Sequence, residues 1–99
     1  MVRLVQFTPT ARRDVLEIWE YTARESVAAA DRVVAAIEAA TRRLSELPGI
    51  GHTRPDVADN RYRFWRVYSY LVACRFTDAE LTVVRVAHGA QDMRRVLHE

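Results

Sequence analysis

The stretch Arg61–Asp92, RYRFWRVYSYLVACRFTDAELTVVRVAHGAQD, constrains this chain more than any other. Aromatic and aliphatic residues alternate there with arginines, and turn residues break the alternation twice. Successive strand side chains point to opposite faces, so the pattern predicts strands near 61–67, 70–76 and 81–87. Tyr68-Ser69 and Thr77-Asp78-Ala79-Glu80 are the turns, and His88-Gly89 closes the segment. By parity, Tyr62, Phe64, Tyr70, Val72, Cys74, Phe76, Val84 and Val86 form a core face. Arg63, Trp65, Ala73, Arg75, Val83 and Arg85 fall on the other. An antiparallel meander with one apolar face must be covered by something.

The first half of the chain supplies that cover. Val2–Phe7 reads as a first strand ending in cap chemistry. Thr8-Pro9 then starts a helix, because Thr8 can accept a free amide and proline at the first position lacks one. Ala11, Val15, Ile18, Trp19 and Thr22 make a one-sided stripe, and the helix ends near Glu25. Ser26 caps a second helix through Leu47, with Ala30, Val33, Val34, Ile37, Ala40, Thr41, Leu44 and Leu47 on its inner face; Pro48-Gly49 stops it. So short a connection makes the two helices an antiparallel hairpin. Pro48–Asn60 is the one long loop, a length that often marks function. Gln91–His98 reads as a last short helix. The expected fold is α+β in one domain, 1–99: N-terminal strand, helical hairpin, three-stranded antiparallel meander, short C-terminal helix.

Ninety-nine residues can bury roughly 60% of their unfolded surface or somewhat more, enough for one core without disulfides. No apolar run reaches the ~20 residues of a membrane span, and no signal-peptide pattern opens the sequence. The single cysteine, Cys74, falls at a core-facing position and reads as a buried thiol, which fits a cytoplasmic setting. All fifteen basic residues are arginine. Up to Gly51 seven arginines meet seven acids; from His52 onward eight meet six, so the whole net charge of +2 sits on the sheet half. That excludes a polycationic nucleic-acid binder. His52, His88 and His98 are too scattered for a metal pattern, and Gly49-x-Gly51 follows a helix where a nucleotide loop would follow a strand. No metal or cofactor is expected.

Three stretches, in this order and at this chain length, carry a resemblance. FTPTARRDVLEIW (7–19) places an alanine, an acid and an Ile-Trp pair at the opening of the first helix. LPGIGHTRPD (47–56) is similar to a "P-x-x-G…R-x-D" loop. RVAHGAQD (85–92) looks like an "R-V-x-H-G-x-x-D" ending, with Gln91 where an arginine is more usual. Together they resemble the small toxins of the ParE/RelE superfamily of type II toxin–antitoxin systems, most closely the ParE branch. The resemblance implies a growth-inhibiting toxin, held inactive by an antitoxin (ParD-like) in a hetero-oligomer and tied to plasmid or chromosomal stability. ParE-like members poison DNA gyrase so that cleaved DNA persists; RelE-like members cut mRNA on the ribosome.

Fold alone does not choose between these activities. Cutting RNA at the 2′-hydroxyl needs a base, an acid, and cations around the developing phosphorane. Arginine serves only the last need, since its guanidinium stays protonated. RelE-like enzymes use lysines and a tyrosine near the C-terminus; this chain has no lysine, and its last tyrosine is Tyr70. His88, His98, Asp92 and Glu99 are the remaining proton acceptors, and His88 with Arg75 and Arg85 is the best nuclease set. Alternatively, His88 anchors the turn before Gly89 from the core face. The expectation is a non-enzymatic gyrase inhibitor; an mRNA endonuclease and an inactive toxin-like scaffold are the rivals.

Arg63, Arg75 and Arg85, one per strand, can form a basic stripe that with Trp65 meets gyrase, its DNA or an acidic antitoxin segment. Equally, exposed strand arginines guard against edge pairing, and Trp65 can lie under the C-terminal helix. On the hairpin, Leu16, Tyr21 and Val27, with the alanines Ala28–Ala30, are left for an amphipathic antitoxin helix that continues across the sheet edge.

Overall fold

A computed structural model describes residues 2–89 and 91–97. The chain forms β1 (Leu4–Phe7), α1 (Pro9–Ala23), α2 (Val27–Glu46), a single 3-10 turn (Pro48–Ile50), β2 (Tyr62–Val67), β3 (Tyr70–Phe76), β4 (Glu80–His88) and α3 (Met93–Leu97). This is the expected α+β architecture. The strands make one sheet in the order β1-β4-β3-β2, with β1 parallel to β4 and the other pairs antiparallel.

Local chemistry sets the helix limits. The Thr8 hydroxyl accepts the Ala11 amide at 3.0 Å, and Pro9 holds the first helical position. Ser26 accepts the Ala29 amide at 3.1 Å; Leu47 leaves helical geometry at φ −138, and Pro48 follows it. The indole of Trp19 donates to Asp31 Oδ1 at 2.9 Å, tying the two helices together. Ala11, Ile18, Ile37, Ala40 and Leu44 bury themselves against Val72, Cys74, Leu81, Val83 and Val86. Ala30, considered above for the antitoxin surface, is fully buried instead.

The sheet has two apolar faces where parity predicts one. Under the long loop and α3 lies a second cluster of Val57, Phe64, Ala73, Ala87, Met93 and Val96. Register explains it. The two-residue turn pairs Val67 with Tyr70, so even-numbered residues of β2 share a face with odd-numbered residues of β3. A bulge then pairs Ala73 with Arg85 but Cys74 with Val83, making Val84 an extra residue. Tyr62, Phe64 and Val84 therefore face α3, whereas Tyr70, Val72, Cys74, Phe76 and Val86 face the hairpin. The central strand is buried on both sides, with Val72, Ala73 and Cys74 all at 0% exposure.

Gly51 brings the long loop onto the sheet edge. A Cβ there would stand 2.9 Å from Arg63 Cβ and 3.0 Å from Leu44 Cδ2, so only glycine fits this approach. His52 then pairs with Phe64 outside β2. Beyond it, the exposed pairs Arg54–Asp56 (3.1 Å) and Arg61–Asp59 (2.9 Å) pin the loop to itself. Arg61's hydrogen bonds hold the Asp59 carboxyl at about 2, below its ordinary value.

Candidate functional site

Three surfaces gather the residues that matter. The first is an open groove of about 440 Å³ between the helices, lined by Phe7, Val15, Leu16, Trp19, Val34 and Ile37, with Arg12 and Glu38 at its rim. Its walls are mostly apolar. Of the three predicted antitoxin contacts, Leu16 (55% exposed) lines this groove. Tyr21 opens onto a different cleft, and Val27 is the exposed first residue of α2. The structure does not bring the three together. Val15, Trp19 and Val34 line the groove although their spacing assigns them to the core.

The second surface is a polar cleft of about 430 Å³ lined by Asp14, Glu17, Tyr21, Tyr70, Arg85 and His88, with Ser69 and Gln91 at the turn. His88 keeps to the hairpin side with Val86, as parity suggested, but at the end of β4 it is exposed. Its ring meets Tyr70 edge-on at 5.9 Å, and its amide donates to Gln91 Oε1 at 3.0 Å. The Gly89 amide donates to the Ser69 carbonyl at 2.8 Å, which fixes the turn through main chain.

The third is the set of sheet arginines, which do not form one stripe. Arg63 pairs with Cys74 and faces the hairpin side with Trp65. There its guanidinium lies 4.9 Å from the Phe76 ring centroid and donates to the Asn60 carbonyl. Trp65 stacks on His52 at 6.1 Å between centroids and does not lie under α3. Arg75 pairs with Tyr62 and Thr82, on the opposite, α3 side, where it is exposed. Arg85 faces that side too, at the edge where α1 crosses β4. The two-residue turn and the bulge are again the cause.

Arg85 is half-buried and held by two other elements. Its Nε and Nη2 donate to the Asp14 carboxylate of α1 at 2.8 and 3.2 Å, and its Nη1 donates to the Val96 carbonyl of α3 at 2.8 Å. Asp14 also accepts the Val86 amide at 2.9 Å. Side-chain exposure is 18% for Arg85 and 11% for Asp14. The nuclease set is thus split: Arg85 lines the polar cleft with His88 and a second hollow with Arg75, but His88 sits on the hairpin side and Arg75 on the other. His98 and Glu99 lie outside the described residues. Asp14 is the site residue the sequence reading missed, although its place between Ala11 and Ile18, three and four residues away, puts it on the inner face of α1.

Among the described residues no three His, Cys, Asp or Glu lie close enough to hold a metal ion. No helix among them is long and apolar enough to cross a membrane.

Residues 5–93 match the family described as ParE toxin of type II toxin–antitoxin system, parDE. The chain belongs to the ParE toxin family. The fold is similar to that of the chromosomal ParDE toxin–antitoxin system from Pseudomonas aeruginosa, with a TM-score of 0.70 at 18% identity, covering 88% of this chain and 96% of that one. It is also similar to the toxin–antitoxin complex RelBE2 from Mycobacterium tuberculosis, with a TM-score of 0.65 at 28% identity, covering 89% and 99%. A search of curated proteins finds no relative by sequence. As a ParE/RelE superfamily toxin, the chain carries its three matching motifs at structural joints. Asp14 and Arg85 meet across α1 and β4, Gly51 seats the loop, and His88-Gly89 turns the chain toward α3.

Proposed function

We propose that this ParE-family chain arrests growth in the cytoplasm by binding DNA gyrase on its DNA, without chemistry of its own. We propose also that a cognate ParD-like antitoxin holds it inactive in a hetero-oligomer. The observation that carries the first statement is that His88 and Arg75 lie on opposite faces of the sheet, with Arg85 bordering the clefts of both. Arg85, although it lines one cleft with His88 and another with Arg75, spends its donors on Asp14 and Val96. General acid–base cleavage needs those groups around one phosphate. Gripping a target needs only complementary surface.

For the antitoxin, the supporting feature is the apolar groove beside Leu16 and Trp19. An amphipathic helix placing residues at i, i+3, i+4 and i+7 along it would cover the uncovered stripe of the hairpin. Tyr21 and Val27 stand beyond the groove and serve as contacts only if the antitoxin chain extends past it.

Expression of the chain without its antitoxin tests the reading. Filamentation with a DNA-damage response and gyrase-linked breaks is the expected outcome. Rapid loss of translation with intact DNA would replace it by ribosome-dependent mRNA cleavage.

A further inference from the structure

The outer edge of β2 carries features that neither the groove nor the cleft uses. His52 and Phe64 exchange both main-chain hydrogen bonds at 2.8 Å, so the amide and carbonyl of Phe64 point away from β3. With a repeat of two, those of Arg66 point outward as well. The residue that would continue the pairing opposite Arg66 is Ile50, but it belongs to the 3-10 turn and has left the strand. The outward donor and acceptor of Arg66 thus border a shallow hollow of about 320 Å³, floored by Ala36 and Ala39 of α2 and bounded by Arg43, Trp65 and Tyr68.

Charge and strain single out the same place. Arg43 stands exposed at the hollow, while the Arg63 guanidinium is turned onto Phe76 and the Asn60 carbonyl and that of Arg66 lies beside Gly89. None of the three makes an ion pair among the described residues. Tyr68 is 62% exposed and has φ +53, a left-handed conformation that costs a tyrosine about 1–2 kcal/mol.

We propose that an extended, acidic segment of the toxin's protein target adds to this edge as a further strand, pairing its main chain with Arg66. Side chains of such a strand alternate between the two faces, and a carboxylate on the hairpin face would meet Arg43. A main-chain donor and acceptor side by side suit a peptide, and the charge of Arg43 on a chain of net charge +2 is little for phosphates. The edge is separate from the groove. On α2 the groove takes Val34, Ile37 and Glu38, while the hollow takes Ala36, Ala39 and Arg43. At about 100° per residue those two sets point roughly 180° apart. The inference rests on this chain being a target-binding toxin, but not on the target being gyrase.

The test is expression of full-length variants without antitoxin, alongside antitoxin affinity measured on the purified proteins. Arg66→Pro removes the outward amide without touching the ladder to β3, and Arg66→Ala controls for the side chain. Arg43→Glu reverses a charge that Arg43→Lys keeps. Growth arrest should be lost in Arg66→Pro and Arg43→Glu and kept in Arg66→Ala and Arg43→Lys, with antitoxin affinity unchanged throughout. Should circular dichroism show Arg66→Pro unfolded, Arg43→Glu decides, because Arg43 is exposed on a helix surface. Arrest equal to wild type in Arg66→Pro and Arg43→Glu overturns the proposal. So does a fall in antitoxin affinity, or loss in Arg43→Glu of binding to a labelled single-stranded DNA oligonucleotide that the wild type holds. A wild type that arrests growth without gyrase-linked breaks removes gyrase but leaves the edge standing; one that never arrests growth overturns both.

Discussion

Asp14 on α1 and Arg85 on β4, seventy-one residues apart, form the one side-chain ion pair among the described residues that joins separate elements, at 2.8 Å. Around it α1, β4 and α3 converge, because the same guanidinium reaches the Val96 carbonyl. Removing one partner strands the other in a mostly dry position, which costs about 3 kcal/mol. Asp14→Ala and Arg85→Ala should each lose about that much in urea unfolding. The double variant should lose clearly less than the sum, since the two residues share one interaction. Equal and additive losses near zero would show the pair to be ornamental.

The groove between the helices yields a second prediction. Leu16→Glu places a charge on its apolar wall without disturbing the core, since Leu16 is 55% exposed. Antitoxin affinity should fall by about 10- to 100-fold, the range expected when a well-packed interface anchor is lost. Thermal stability should stay within about 0.5 kcal/mol of wild type. Val27→Glu, outside the groove, should change affinity little. Calorimetric titration of both variants with the antitoxin separates the outcomes.

Tyr68 offers a gain of stability. Its φ of +53 suits glycine, so Tyr68→Gly should stabilise the fold by about 1 kcal/mol in urea unfolding, partly offset by the freedom glycine adds to the unfolded chain. A clear loss of stability would mean that the tyrosine ring itself holds the turn.

Cys74 should be silent in the native protein. Burial pushes its thiol up to about 12, so it stays protonated where an unfolded cysteine ionises near 9. The folded state then binds more protons than the unfolded state between those values, and its stability falls as pH rises through that window. A thiol reagent at pH 8 should label Cys74 within seconds in guanidinium and only at the rate of unfolding without it.

Element order, caps and helix limits were legible because each rests on local chemistry: Thr8-Pro9, Ser26 and Pro48-Gly49 act within a turn of themselves. Sidedness of the sheet was not. It depends on how strands are paired across turns, and the single extra residue at Val84 reverses everything after it. Arg63 and Arg75 look alike by parity and lie on opposite faces. Asp14 escaped for another reason, since an acid on an inner helical position becomes a site only when its partner, seventy-one residues on, is known.

The central claim is that this toxin binds and does not cut. Purified chain should be incubated with gyrase and supercoiled DNA, and in parallel with ribosomes carrying message. Covalent gyrase–DNA breaks with intact message are the predicted result. Cleaved message, lost on His88→Ala and with gyrase untouched, would contradict it.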